Sequence, residues 1–313
     1  MCALLPIPRC KLALCAVAVA FAAAMPAASA DSLTDYFGPR AVGAGEAARA
    51  DAHGALAIAL NPAGLALDHQ FVFEGGYGFR PGDSSSLATA SACDSTTPVA
   101  GCFYYRYFLA KPEIEGTTYR RRVHETGTVL ARALGQSLAV GIGVKYFDYN
   151  SNLADAGREG EQDAAGFASD VGAVFRATGS LSLAAVGYNV IAEDSPQYPL
   201  ALGGGIAFRA TSNLALGADG VWNLEAPEGQ GTGRYSAGAS FFASAADGQA
   251  GYPIRAGVVH DAGLDGTYIT AGLGYVTAKL GVDVGARKQV AGGDELVILG
   301  SLRLFGPQVT AAR

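Results

Sequence analysis

The most constraining feature of this sequence is a series of short segments in which apolar side chains alternate with small or polar ones. The alternation is clearest at 138–146, 214–222, 269–275 and 280–287. A side-chain period of two is typical of a β-strand with one apolar face. From residue 70 onward, no apolar run reaches the ~18 residues that a transmembrane helix needs. The chain is therefore predicted to be all-β over this region.

The composition indicates which face of these strands is outside. Of 313 residues, 50% are hydrophobic, 16% are charged and 43 are Gly, whereas a soluble domain usually carries about 25% charged residues. The non-apolar face consists mostly of Gly, Ala and Ser with scattered charges, which suits the lumen of a barrel. The apolar face is therefore expected to contact lipid.

The number of strands and their connections favour a transmembrane antiparallel β-barrel of about 14 strands, an even number as in bacterial barrels. From the third strand onward, long connections alternate with tight turns, and the long set is rich in acidic residues. Outer-membrane barrels have long extracellular loops and short periplasmic turns. The predicted strands are 70–80, 84–93, 99–109, 117–133, 136–149, 165–178, 180–190, 198–210, 213–223, 232–244, 252–261, 266–277, 279–288 and 294–305.

The N-terminus has the features of a cleaved signal peptide. Arg9 and Lys11 precede an apolar stretch, and Ala28-Ser29-Ala30 forms an A-x-A site. We expect residues 1–30 to be removed and the mature chain to reach the outer membrane of a Gram-negative cell. The net charge of −6 then becomes −8, because the two basic residues leave. A chain of this sign is a poor partner for nucleic acid.

Residues 31–69 do not alternate and resemble a known segment. The motifs Gly38-Pro39-Arg40-Ala41 and Asn61-Pro62-Ala63-Gly64-Leu65, with Gly43 and Gly45 between them, resemble the N-terminal hatch of the FadL/TodX long-chain fatty acid transporters. They look equally like the start of PorV/PorQ-type barrels. The resemblance implies a hatch or plug folded into the lumen, followed by a barrel over 70–306 and a tail over 307–313. Its motif residues would be Gly43, Gly45, Asn61, Pro62, Ala63 and Gly64.

Alternation also places a set of charged residues inside the barrel. Their structural role would be mutual pairing, since buried charges must pair or stay hydrated; their functional role would be a polar lining around the hatch. On 117–133 the pattern assigns Arg120, Arg122 and His124 to the lumen and leaves Glu125 facing lipid, either in an extracellular extension or beside a bulge. The inward set is predicted to be Glu74, Arg80, Arg106, Lys145, Asp170, Arg176, Arg209, Asp219, Arg234, Arg255, Asp283, Arg287 and Arg303.

The remaining motifs give little indication of chemistry. The four His residues lie far apart, so we predict no metal site, and no motif points to a cofactor or a catalytic centre. Cys93 and Cys102 flank a short turn on neighbouring strands, which predicts a disulfide between them; two free thiols are the alternative.

Two functions follow from these expectations. The first is a FadL-like barrel that passes hydrophobic small molecules, such as long-chain fatty acids, across the outer membrane. The alternative is a PorV-like barrel that acts as a scaffold or partner of proteins in secretion, surface attachment or motility. In both, outer-membrane lipid surrounds the barrel.

Overall fold

The computed structural model describes residues 38–114, 116–152, 163–192, 197–226, 232–245 and 250–308. They form a closed antiparallel barrel of 14 strands, in which each strand pairs with the next along the chain and the last pairs with the first. A separate two-stranded hairpin, β4 with β5, lies in the connection after β3. The strands are β1 (Gln70–Arg80), β2 (Ser85–Asp94), β3 (Val99–Ala110), β4 (Glu113–Ile114), β5 (Thr117–Thr118), β6 (Arg121–Leu134), β7 (Leu138–Ser151), β8 (Ala164–Arg176), β9 (Leu181–Ala192), β10 (Ala201–Arg209), β11 (Leu214–Asn223), β12 (Gly233–Ser244), β13 (Ala250–Asp261), β14 (Gly266–Thr277), β15 (Leu280–Ala291) and β16 (Leu296–Gln308).

The predicted 14-stranded barrel is confirmed, although most strand bounds differ by a few residues from the prediction. The predicted strand 117–133 is divided, because 117–118 pair with 113–114 in the hairpin and the barrel strand begins at Arg121. The last strand continues to Gln308, beyond the expected end of the barrel at 306.

Four short helical pieces complete the described structure. Two α-helices, α1 (Pro39–Gly43) and α2 (Leu56–Ala59), and a 3₁₀ helix (Pro62–Leu67) precede the barrel. A second 3₁₀ helix (Pro81–Asp83) connects β1 to β2. Among the described residues, no helix is long and apolar enough to cross a membrane.

The apolar register lies on the outside of the barrel. Ile142, Leu273 and Val284 expose 45%, 58% and 51% of their surface. Their neighbours Gly143 and Asp283 lie on the inner face, because successive side chains of a strand point to opposite sides. The closed barrel therefore presents a continuous apolar band, as a chain surrounded by lipid requires.

Aromatic side chains mark both edges of this band. Toward the end of the barrel at which β1 finishes, they include Tyr77, Tyr146, Trp222 and Tyr235. Toward the opposite end, at which β1 begins, they include Phe103, Phe175, Phe208, Tyr252 and Tyr275. Two aromatic girdles are typical of outer-membrane barrels, since amphipathic rings favour the membrane–water interfaces.

The predicted orientation of β6 is wrong. Glu125 lies in the lumen and is 1% exposed, between the inward-facing Val123 and Val129. His124 lies on the outer face against Tyr105. The alternation gave weight to the basic residues Arg120 and Arg122, whereas Val123 and Val129 face inward with Glu125, which gains a buried cationic partner in Arg106. Arg120 precedes the strand and is exposed.

The two cysteines are neighbours across β2 and β3. Cys93 and Cys102 are directly opposite in the register and form a disulfide. Both side chains face inward and pack beside Ala57, Ile58 and Leu65, which belong to the segment that precedes the barrel.

We expect mass spectrometry of the non-reduced, alkylated protein to detect a cross-linked peptide pair containing Cys93 and Cys102. Replacing both by Ala should lower the free energy of unfolding by about 2–3 kcal/mol, because the cross-link restricts the unfolded chain. Recovery of both residues in alkylated form without prior reduction would contradict the pairing.

Candidate functional site: the lumen and its N-terminal segment

Residues 38–69, here called the lumen segment, lie against the inner wall of the barrel. Helix α1 contacts β13, β14, β15 and β16. The 3₁₀ helix Pro62–Leu67 contacts the opposite group, β3, β6, β7 and β8. The segment therefore crosses the lumen from one side to the other. Of the predicted hatch, 31–37 lie outside the described residues.

The Asn61-Pro62 motif fixes the start of the 3₁₀ helix. The Asn61 side-chain oxygen accepts a hydrogen bond from the Ala63 amide at 3.1 Å, as an N-cap does. Its amide nitrogen donates to two carbonyl oxygens, of Arg49 and of Ala173 on β8, both at 3.1 Å. Asn61 is fully buried. One side chain thus caps the helix, joins two parts of the lumen segment and attaches it to the wall.

Glycines on the inner wall allow the backbone of the segment to approach closely. A Cβ atom at Gly217 would lie 1.9 Å from the Ala47 carbonyl oxygen, and one at Gly238 would lie 1.9 Å from that of Ala44. No side chain fits at these distances. We call this set of inner-wall glycines the glycine girdle. Its members, each given with the segment residues that it faces, are Gly141 with Pro62 and Ala63, Gly172 with Asn61, Gly217 with Ala47, Gly238 with Ala44, Gly257 with Gly45, Gly272 with Gly43 and Gly285 with Pro39.

The remaining predicted hatch residues also make close contacts. Gly43 and Gly45 belong to these pairs, and Gly45 has a positive φ of 67°. A Cβ at Gly64 would lie 2.0 Å from the Ala52 carbonyl oxygen. The glycines of the motif therefore serve close packing, both within the segment and against the wall.

Two charged residues from the middle of the segment form ion pairs with the inner wall. Glu46 accepts from Arg234 on β12 at 2.7 Å and from Arg287 on β15 at 3.4 Å. Arg49 pairs with Asp219 on β11 at 3.1 Å and donates to the Tyr188 hydroxyl at 2.8 Å. Because these groups are mostly buried, removing one partner would leave an uncompensated charge.

A second cluster surrounds Glu125, on the side of the lumen formed by β3, β6 and β7. Its carboxylate pairs with Arg106 and accepts from the hydroxyls of Tyr104 and Tyr198, at 2.9 and 2.8 Å. Tyr198 comes from the connection between β9 and β10 and stacks on Phe147, with ring centroids 4.0 Å apart. This connection thus reaches into the lumen.

Next to this cluster, the wall is irregular at β9. Ser169 of β8 pairs with Ile191 and Val171 pairs with Gly187, so 188–190 bulge opposite one residue, Asp170. The pairing of β9 with β10 ends at Tyr188. Beyond that point Asn189, at a positive φ of 53°, donates from its side chain to the Pro199 carbonyl at 2.9 Å. The β9–β10 ladder is therefore incomplete at this level.

A third group of charges lies toward the end at which β1 finishes. Arg80 pairs with Glu295 at 3.2 Å and with Asp83 in the adjoining turn. Burial opposes the charge of Asp83, but hydrogen bonds from Arg80 and Ser85 outweigh it and lower the pKa of this carboxyl. Arg287 also reaches Glu295 and stacks over a tyrosine ring. This end of the lumen is therefore polar and densely paired.

The structure places most of the predicted lumen charges in ion pairs on the inner wall. Arg176 and Arg209 are exposed at strand ends instead. Arg40, Glu46 and Arg49 were not predicted, because they belong to a segment without alternation. The inward, paired residues are Glu74, Arg80, Arg106, Lys145, Asp170, Asp219, Arg234, Arg255, Asp283, Arg287 and Arg303.

The described part of the chain holds no group of three or more His, Cys, Asp or Glu residues arranged to bind a metal ion. The described residues that line the lumen supply ion pairs, tyrosine hydroxyls and apolar surface.

Several solved structures share this fold. The toluene transporter TbuX of Ralstonia pickettii is 13% identical with a TM-score of 0.62, over 88% of this chain and 99% of that chain. The toluene transporter TodX of Pseudomonas putida is 11% identical with a TM-score of 0.58, over 90% and 99%. A deletion mutant of the TodX monoaromatic hydrocarbon channel reaches a TM-score of 0.65 at 11% identity, over 87% and 99%.

At these identities the likeness establishes a common fold: the chain has the architecture of these hydrocarbon channels. No protein-family model matches the sequence, and no curated protein matches it significantly.

Proposed function

We propose that this chain is an exported outer-membrane barrel that passes hydrophobic small molecules, and that the lumen segment is a plug. The observation that carries the proposal is the segment itself, which contacts the wall on opposite sides of the lumen and is held there by ion pairs and the glycine girdle. Structures of the same fold are described as toluene transporters. Cleavage after Ala30 would deliver the chain to the outer membrane.

A plugged, highly charged lumen favours a route along apolar surface over an aqueous pore. Apolar molecules gain about 25 cal/mol for each Å² of apolar surface that they remove from water. Ions gain no such free energy from apolar surface, and they would have to cross the plugged lumen. The substrate class supported best is therefore hydrophobic, with monoaromatic hydrocarbons and long-chain fatty acids as the two candidates.

The irregular wall at β9 is our candidate for a lateral exit into the membrane. The β9–β10 ladder ends at Tyr188, and Ile191 just beyond is 76% exposed. The polar side chains of Asn189 and Tyr198 lie at the inner edge of this position. A substrate leaving here would enter lipid without passing an open pore.

Uptake by cells tests the proposal. A strain lacking this chain should accumulate labelled toluene, oleate or both more slowly than the parent strain, and re-expression of the full chain should restore the rate. Antibiotic entry through unrelated porins serves as the control for general permeability. Uptake at parental rates for every hydrophobic compound would exclude the transport function and leave the PorV-like scaffold, whose protein partners cross-linking would then identify.

A further inference from the structure

Three cations at the end of the barrel where β1 finishes differ from the others there. Among the described residues, Lys111, Arg120 and Arg122 have no carboxylate partner, and all three flank the connection between β3 and β6. The chain as a whole has a net charge of −6, so this local positive charge does not follow from its composition. The ion pairs at the same end join Arg80 to Glu295, Arg287 to Glu295, Arg234 to Glu46 and Lys288 to Asp294.

Arg122 points away from the lumen and has donors to spare. It lies two residues from His124, which contacts Tyr105 on the outer face, so the two side chains share that face. The Arg122 Nε atom has no hydrogen-bond partner. One Nη atom donates to the Asn150 side-chain oxygen at 3.4 Å, which is a long contact. The guanidinium group is therefore able to bind a further acceptor.

Lys111 and Arg120 extend this surface beyond the strands. The ladder between β3 and β6 ends one residue earlier on each strand, and both side chains are exposed. The backbone of Arg120 is held in place, because its amide donates to the Asn152 side chain at 2.7 Å and its carbonyl accepts from the Asn152 amide at 3.2 Å. We call Lys111, Arg120 and Arg122 the basic rim.

The basic rim lies just beyond the aromatic girdle. Tyr105 of β3 and Tyr146 of β7 both pair in register with Thr126 of β6, which marks the level of the girdle. Arg122 lies four residues further along β6, which is about 13 Å along the strand and about 10 Å along the membrane normal at the usual strand tilt. The headgroup layer is roughly 5–8 Å thick. Long basic side chains that bend back toward the girdle therefore reach this layer.

The carboxylate nearest to these cations on the outer face belongs to Asp148. It is the register partner of His124 and so lies closer to the girdle than Arg122 does. Its oxygen accepts from the Asn150 side chain at 2.5 Å. Asp148 therefore does not neutralise the basic rim.

The position of the rim indicates which anion it meets. The connections at this end are the long ones, which face the cell exterior in outer-membrane barrels. In a Gram-negative outer membrane, the lipids of the outer leaflet are glycolipids that carry phosphate groups. Guanidinium groups match phosphate geometry with paired N–H donors, and such charge-assisted hydrogen bonds are among the strongest.

We propose that the basic rim binds the phosphate of an outer-leaflet glycolipid. Its acyl chains would lie on the apolar outer face of the same two strands, where Phe103 of β3 is 59% exposed and Leu130 of β6 is 47% exposed. The inference rests on the outer-membrane location and goes beyond the proposed transport, because it does not depend on what passes through the lumen.

Native mass spectrometry of the purified full chain in neutral detergent tests this site. The probes are diphosphorylated lipid A and the same lipid stripped of its phosphates, in EDTA so that no divalent cation bridges the lipid to Asp148. The wild type should bind the phosphorylated probe at least about thirtyfold more tightly, as expected for two or more cations beside an anionic headgroup. Arg120→Gln/Arg122→Gln should lose about this factor for the phosphorylated probe and bind the other unchanged.

The matched control removes the same charge from the opposite end of the barrel. Arg132 is exposed near the other end of β6, on the same face as Arg122, and Arg209 is exposed at the end of β10. Arg132→Gln/Arg209→Gln should bind both probes as the wild type does. Heat-modifiable migration on gels, measured before the titration, identifies the folded barrel in each variant.

The outcomes separate this site from the proposed function. Equal binding of the two probes by the wild type would overturn the phosphate site and leave transport untouched. Equal binding of the phosphorylated probe by the wild type and Arg120→Gln/Arg122→Gln would also overturn it and leave the rim to an acidic protein at the cell surface. Displacement of the lipid by an equal concentration of inorganic phosphate would show a free-phosphate site. Normal uptake by the deletion strain removes transport alone.

Discussion

Exchanging Val144 and Lys145 should prevent the barrel from assembling. Val144 is 47% exposed on the lipid face, whereas Lys145 lies in the lumen and pairs with Asp170 at 2.8 Å. The double variant Val144→Lys/Lys145→Val keeps the composition but places the cation in lipid, at a cost of roughly 2–4 kcal/mol near the bilayer midplane. It also leaves Asp170 without its partner, which costs a further ~3–5 kcal/mol.

The measurement is heat-modifiable migration on gels together with the amount of chain in outer-membrane fractions. The matched control, Val144→Ile/Lys145→Arg, alters both side chains but keeps an apolar residue on the lipid face and a cation in the lumen. It should therefore assemble normally. Equal assembly of the exchanged and control variants would contradict the register of β7.

Adding a single methyl group to the glycine girdle should displace the lumen segment. In Gly217→Ala or Gly238→Ala, the new Cβ would lie 1.9 Å from a carbonyl oxygen of the segment. The atoms that face each other belong to the backbones of the wall and of the segment, so no flexible side chain can move aside. The segment must therefore shift, at a cost in stability of ~1–3 kcal/mol, which is typical of overpacking. We expect the barrel to assemble, the segment to become sensitive to protease and the ion conductance to rise.

Gly143→Ala is the matched control, because Gly143 also faces inward but a Cβ there would meet only ordinary contacts of 3.6 and 3.9 Å. Its conductance and protease resistance should equal those of the wild type. If Gly217→Ala and Gly143→Ala behave alike, the close approach of segment and wall is not what holds the segment in place.

The barrel could be predicted from the sequence because the alternation that indicates it lies within each strand. The alternation at 138–146 requires only that one side of each strand meets lipid, and the register of Ile142 and its neighbours followed from it. It failed on β6, where Glu125 and the basic residues give conflicting indications of the inner face. There the deciding factor is a partner on another strand, Arg106, which a single-strand pattern cannot supply.

The lumen was less accessible to sequence reasoning. The motif glycines were identified, but their partners in the wall, such as Gly217 and Gly238, lie far away in the sequence. The abundance of Gly was interpreted as room inside a barrel, whereas in the structure six of the inward glycines lie against the segment backbone and Gly172 lies against the Asn61 side chain. Likewise, the cationic partner of Glu74 is Arg40, which no alternation could assign to the lumen.

The most direct test of the central claim, that the segment before β1 plugs the barrel, is ion conductance in planar lipid bilayers. The full chain should conduct poorly, because the lumen segment spans the barrel between β7 and β15. A variant that lacks residues 31–60 should assemble, since the strands from Gln70 onward remain, and should conduct readily. Low conductance in both proteins would show that the wall closes the lumen without the segment. High conductance of the intact chain would contradict the plug outright.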